Sequence, residues 1–287
     1  MDRKPLNLKK IGWIALGVII LVYILVLGVY KLLEDHFVYH PDYTTREVNH
    51  LLPTRLGLDI DEVTVNTPDG EALFGWLTYA EPAKANGQWV IFLHGNAGNI
   101  SNMEYPRRYV ALSKMGLNVL AIDYRGFGKS TGTPSEQGLY TDAQSAYDYL
   151  RKTRKVSSDD IVIYGYSLGT GVASELASHN HAGGLVLEAP YTSLPSIGAG
   201  EYPWLPVSLL MKNRYDTKSR ISKLNYPLLI LHATEDKIIP YTEGEAVLAA
   251  ATSAKSMVPL RGDHITASIL DSAKFYGAFE AFVSGLK

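Results

Sequence analysis

Residues 11–30 form a run of 20 without a charge, rich in Ile, Leu and Val. As a helix rising about 1.5 Å per residue, the run reaches roughly 30 Å, the thickness of bilayer hydrocarbon. The pattern predicts a membrane-spanning helix. Gly12, Gly17 and Gly28 fit it, because glycine weakens a helix in water and is tolerated in lipid. Trp13, Tyr23 and Tyr30 include rings suited to a membrane interface, with Tyr30 at the C-terminal edge. A cleaved signal peptide would have a shorter apolar core, about 7 to 15 residues, and a small-x-small site after it. Val29-Tyr30-Lys31-Leu32 offers no such site.

Residues 36–58 are mixed and polar, with Pro41 and Pro53, and read as a connector lying over the folded body. Residues 63–65 and 73–79 alternate apolar and polar around Pro68-Asp69-Gly70, a turn signal, which predicts an antiparallel pair at a sheet edge. The texture then changes to short continuous apolar runs at 89–93, 119–122, 161–164, 185–187, 228–231 and 256–260. Continuous apolarity is what strands buried on both faces of a parallel sheet require. Helical spacing appears between them. Leu139, Ala143, Ala146 and Leu150 share one face, a helix is expected to close at Gly116, and Phe275, Phe279, Phe282 and Leu286 mark a C-terminal helix. The alternation defines an α/β chain with a mostly parallel central sheet and helices on both faces.

One connection breaks the rhythm. About 40 residues separate the runs at 185–187 and 228–231, long for a single crossover. Residues 194–220, with Trp204, Leu205, Leu209, Leu210 and Met211, are expected to form a small apolar cap over the site. A crossover helix with a long approach is the simpler alternative.

The length of 287 residues leaves about 230 to 245 for the body, the size of one large α/β domain. A net charge of −2, without a Lys/Arg-rich run in the body, argues against a nucleic-acid partner. Cysteine is absent, which removes disulfides, thiolate catalysis and cysteine metal ligands. Arg3, Lys4, Lys9 and Lys10 precede the apolar run, and only Lys31 follows closely. The N-terminus is therefore expected in the cytoplasm and the body on the extracytoplasmic side. The expected organisation is a cytoplasmic tail at 1–10, an uncleaved anchor at 11–33, a juxtamembrane connector at 34–60 and a catalytic domain at 61–287.

Gly165-Tyr166-Ser167-Leu168-Gly169 matches Gly-x-Ser-x-Gly, a pattern that chance alone puts in about one chain in ten of this length. Its placement makes it specific. It follows the run at 161–164 and opens Leu168-Gly169-Thr170-Gly171-Val172-Ala173, a helix start packed by small residues. Strand, sharp turn and helix expose a nucleophilic serine and aim a helix N-terminus at the reacting group. Ser167 is the candidate nucleophile. The backbone N–H groups of Leu168 and of Asn96, in the small-residue loop after the run at 89–93, are the candidate oxyanion donors.

In such a site the acid and then the base follow the serine, which leaves His179, His181, His232 and His264. His264 sits just past the last strand, on a loop that can reach back to the serine, and is the candidate base. The first two lie in a polar stretch, and His232 ends a strand ahead of any acid. His94 precedes the serine and reads as a brace of its loop. Asp236, in the turn after 228–231, is the candidate acid that would hold the histidine tautomer. Its rivals Glu235 and Asp263 are set aside as sequence neighbours of Asp236 and His264.

These residues resemble the α/β-hydrolase superfamily, and within it the Bem-type branch of single-pass, membrane-anchored hydrolases related to animal abhydrolase-domain proteins thirteen and seventeen. The resemblance runs from residue 37 to the C-terminus. It rests on Phe37-Val38-Tyr39-His40-Pro41, Thr67-Pro68-Asp69-Gly70 with Gly75-Trp76, His94-Gly95-Asn96-Ala97-Gly98-Asn99, and Asp123-Tyr124-Arg125-Gly126-Phe127-Gly128-Lys129-Ser130. The serine motif, residues 232–236 and Gly262-Asp263-His264 complete it. It implies a triad of Ser167, Asp236 and His264, a shaping role for residues 123–130, and an acyl-ester or thioester hydrolase needing no metal or cofactor. The expected function is cleavage of a small-molecule or lipid-like carboxylic ester through an acyl-enzyme. A peptidase or amidase using the same triad is the alternative among enzymes. A catalytically silent anchored binding module is the alternative outside them, although such a module would be expected to have lost a triad member.

Overall fold

The computed structural model describes residues 8–43, 46–102 and 104–286, so Arg3, Lys4 and most of the tail assigned to 1–10 lie outside the described residues. The apolar run forms one helix, Leu8–Val38, of 31 residues. It is long and apolar enough to cross a membrane, and none of its most apolar stretch is buried. The helix continues past residue 33 because the body holds its last turns. Glu34, fully buried, accepts the N–H groups of Lys212 (2.9 Å) and Asn213 (2.8 Å) and the Asn213 side-chain amide (2.9 Å). Asp35 takes the Lys212 ammonium at 2.6 Å.

Eight strands make one sheet: β1 (Ile60–Asn66), β2 (Ala72–Thr78), β3 (Trp89–Leu93), β4 (Asn118–Ile122), β5 (Ile161–Tyr166), β6 (Gly184–Glu188), β7 (Leu228–Ala233) and β8 (Lys255–Leu260). Their order is β1-β2-β4-β3-β5-β6-β7-β8. β2 runs antiparallel to both β1 and β4, and every later pairing is parallel. The alternating segments thus form one edge, and the runs at 89–93, 119–122, 161–164, 185–187 and 228–231 form strands covered on both faces, whereas the run at 256–260 becomes β8 at the opposite edge, with Lys255, Ser256 and Pro259 exposed. β3, β5, β6 and β7 are buried at every position.

Successive strand residues point to opposite faces, which splits the core in two. Ile91, Ile163 and Leu187 pack with Leu139, Ala143, Ala146 and Leu150 on one side. Val90, Phe92 and Tyr164 pack with Phe275 and Phe279 on the other. The C-terminal helix, Ser272–Ser284, ends before Leu286, so that residue packs from beyond the helix end. The helix Tyr105–Lys114 closes before Gly116, whose φ of 87° is left-handed, as a glycine at that point allows. Between β6 and β7 the chain makes three short helices, Leu194–Glu201, Val207–Leu210 and Thr217–Ile221.

Candidate active site

β5 ends at Tyr166, the helix Leu168–His179 begins two residues later, and Ser167 between them has φ 53° and ψ −121°. Such a conformation costs a non-glycine residue about 1–3 kcal/mol and persists only where the surroundings impose it. The Ser167 N–H donates to the Glu188 carbonyl on β6 at 2.9 Å. The motif glycines let the elements close up around the turn. A Cβ on Gly165 would lie 2.3 Å from the Gly169 carbonyl oxygen, and one on Gly169 would lie 2.0 Å from that of Leu93.

The turn delivers the Ser167 Oγ to 2.9 Å from His264 Nε2. On the other edge of the ring, His264 Nδ1 lies 2.7 Å from Asp236 Oδ2. All three residues are buried. The second Asp236 oxygen accepts the N–H groups of Ile238 (2.9 Å) and Ile239 (2.8 Å). Burial opposes ionisation of Asp236, but the nearby His232 imidazole and the hydrogen bond from His264 outweigh it and hold the carboxyl well below the usual range. An ionised Asp236 accepts the Nδ1–H of His264, which leaves Nε2 as the acceptor facing the serine. The Tyr166 hydroxyl donates to the His264 carbonyl at 3.0 Å and pins the loop that carries it.

The other candidates lie elsewhere. Glu235 is exposed. Asp263 turns back on its own loop and accepts the N–H groups of Ile265 and Thr266. His179 is exposed, and His181 pairs with Asp159 at 2.6 Å. His94 is fully buried, which pulls its imidazole down to about 4 and keeps it neutral. Its Nδ1 lies 2.7 Å from the Gly95 carbonyl, and the Tyr124 hydroxyl donates to the His94 carbonyl, so it braces the loop.

Sequence reasoning passed over His232. Its Nε2 donates to the Ile239 carbonyl at 2.9 Å and lies 3.6 Å from Asp236 Oδ2, so it props the acid turn from beneath. The available signal was a lone imidazole in an otherwise apolar strand, four residues before the acid.

Leu168 opens its helix, so its N–H is one of the four that lack an acceptor within the helix. Asn96 is held from the connector side: its carbonyl accepts the His40 N–H at 2.8 Å and its side chain donates to the Val38 carbonyl at 3.1 Å. Asn96, Leu168, Ser167 and His264 line a single cavity of about 940 Å³. Trp204, Leu205 and Met211 from the excursion between β6 and β7 line it, whereas Leu209 and Leu210 do not, and Leu209 is 83 % exposed. The short helix Val207–Leu210 turns one side to the body, burying Val207, and that leaves Leu209 facing outward. Among the described residues no group of three His, Cys, Asp or Glu side chains could hold a metal ion.

The sheet order with its antiparallel edge, the strained turn after β5, and an acid and a histidine after the last two strands define an α/β hydrolase. The chain belongs to that family, whose alpha/beta hydrolase fold model matches residues 88–206. It is 38% identical over 224 residues to an uncharacterized protein of Mycobacterium tuberculosis, covering 78% of this chain and 79% of that one. Its Bem-type relatives include protein bem46 of Schizosaccharomyces pombe, 30% identical over 208 residues, 71% of this chain and 69% of that one. The lysophosphatidylserine lipase ABHD12 of Danio rerio is 29% identical over 197 residues, 62% of this chain and 51% of the relative. Among solved structures, the Pyrococcus furiosus esterase Pf2001 superposes with a TM-score of 0.72 at 21% identity, covering 86% of this chain and 99% of that one, which is a likeness of fold.

Proposed function

We propose that this chain is a membrane-anchored serine hydrolase that cleaves carboxylic esters through an acyl-enzyme. The observation that carries the reading is the Ser167 Oγ at 2.9 Å from His264 Nε2 on a strained, helix-capping turn, with Asp236 behind the ring. Ser167 attacks the ester carbonyl as Nε2 takes its proton, and the oxyanion receives the N–H groups of Leu168 and Asn96. His264 then gives that proton to the departing alkoxide, leaving Ser167 acylated. Water, deprotonated by the same nitrogen, attacks the acyl-serine; the acid departs and Ser167 recovers its proton. A fluorophosphonate should label the protein at one serine, mapped to position 167. Labelling elsewhere, or none, removes the reading.

The apolar cavity, the lipase relative and the esterase-like fold support an acyl ester as substrate. Each methylene buried against such a lining is worth at most about 0.8 kcal/mol, or roughly fourfold in kcat/KM. Turnover of a series of p-nitrophenyl esters should therefore rise from acetate into medium chains. A maximum at acetate, falling with each added methylene, would remove the apolar acyl site.

Residues 11–33 are assigned as the anchor, 34–60 as the juxtamembrane connector and 61–287 as the catalytic domain, with the cap at 194–220. The basic excess at 3, 4, 9 and 10 against Lys31 assigns the tail to the cytoplasm and the catalytic domain to the far side. Protease added outside intact cells, or outside spheroplasts where a wall intervenes, should degrade the body. A body protected until the membrane is broken reverses the assignment.

A further inference from the structure

The wall of the cavity opposite the body is the N-terminal helix itself. Leu25, Val26, Val29 and Tyr30 line it, at spacings of four residues that place them on one helical stripe. They lie near the end of the apolar run, where the helix leaves the lipid in the assignment above. The cap reaches further down: the Tyr23 hydroxyl donates to the Trp204 carbonyl at 3.0 Å. Tyr23 is seven residues below Tyr30, about 10 Å along a helix axis. The cap therefore meets the helix inside the segment that spans the membrane. There it exposes Tyr202, Trp204 and Leu209, the aromatic and aliphatic side chains that settle in the boundary between headgroups and acyl chains. Glu34 and Asp35, bound to Lys212 and Asn213, fasten helix and cap together just above this level.

We propose that the substrate is an acyl ester of a membrane lipid, which enters sideways from the leaflet the cap touches and lays its reacting chain along the Leu25–Tyr30 stripe of the N-terminal helix. The inference rests on the serine-hydrolase reading and adds the source of the substrate and the surface that holds its chain. A lipid that slides from the bilayer into this cavity stays in apolar surroundings throughout, so its chain never crosses water, which a chain of many methylenes disfavours steeply. The anchor is thus part of the binding site, and Ser167 meets the ester where the lipid's polar end begins.

The test uses the full chain in vesicles of phosphatidylcholine and phosphatidylglycerol and an alkyl fluorophosphonate carrying a diazirine far along its chain. After reaction and irradiation, peptide mapping should find the phosphonate on Ser167 and the photocrosslink on residues 25–30. Labelling of Ser167 with crosslinks only on the cap or body would overturn the helix wall while leaving the hydrolase reading intact. No label on Ser167 sinks both. In the same vesicles, Val29→Trp should lower the ratio of tetradecanoyl to butanoyl ester turnover by about tenfold, since it removes room for two or so methylenes. Val18→Trp, on the same helix but away from the cavity, should leave that ratio unchanged. Equal ratios in wild type and Val29→Trp would equally overturn the proposal.

Discussion

Ser167→Ala should lower kcat for ester hydrolysis by about 10⁶ and abolish labelling by a serine-directed phosphonate, with the residual rate left to oxyanion donors and binding. His264→Ala should cost about as much, because a serine without its base and a base without its serine are equally idle. The effect of Asp236→Asn should be smaller, on the order of 10⁴, since the amide disturbs the tautomer without removing the ring. The geometry makes this last loss specific. Asp236 Oδ2 is the atom facing His264 Nδ1, while Oδ1 is engaged by two backbone N–H groups. An amide nitrogen at either position therefore breaks a bond now made by a carboxylate oxygen. Glu235→Gln, on an exposed side chain, is the control and should leave most activity. A crippled Glu235→Gln beside a near-normal Asp236→Asn would move the acid by one residue. Full activity in purified Ser167→Ala would end the serine reading altogether.

The second large effect is on stability. Arg108 and Glu188 form an ion pair beneath the serine turn, with Arg108 Nη2 at 2.6 Å from Glu188 Oε1 and side-chain exposures of 2 and 4 %. The Tyr164 hydroxyl also donates to Glu188, and the guanidinium lies 5.1 Å from the centre of the Tyr166 ring. Burial alone would disfavour the charged guanidinium, but the Glu188 carboxylate more than compensates and holds its pKa well above normal. Removing one member of a buried pair leaves the other charge uncompensated, at about 3–5 kcal/mol. Arg108→Ala should therefore lower Tm by about 6–20 °C in a domain of this size. Arg108→Met with Glu188→Gln should recover a good part of that loss, because no bare charge remains. If the double substitution is no more stable than Arg108→Ala, the pair acts through packing and not through charge. The Glu188 carbonyl accepts the Ser167 N–H, so activity should fall alongside stability in the single variant.

Elements whose physics is local were legible in the chain itself. A strand covered on both faces has to be apolar at every position, so the five central runs could be placed before any contact was known, while the run at 256–260, with Ser256 and Pro259, lies at an edge of the sheet. The antiparallel edge was legible from alternation around Pro68-Asp69-Gly70, and the serine from glycines at the two positions where a Cβ would strike a neighbouring carbonyl. The acid and the histidine could be proposed because loops that follow adjacent parallel strands open at the same end of a sheet. By itself the sequence therefore determined the class of fold, the long apolar helix and a short set of candidate residues.

Tertiary structure alone decided which distant groups meet. Glu34 and Asp35 read as ordinary acids after an apolar run, yet they bind residues near 212, about 180 positions away. His232 read as a strand-end histidine, and only the fold of the 232–239 turn sets it under Asp236. Leu209 and Leu210 shared the apolar character of the segment between β6 and β7, but a four-residue helix has two sides and only one faces the body. The stripe of Leu25, Val26, Val29 and Tyr30 carries no mark in the sequence, because lipid and an apolar cavity ask for the same side chains. Which of the two a residue faces depends on what packs beside it, and that is set by hydrogen bonds from Glu34 and Asp35 to Lys212 and Asn213 rather than by any local preference.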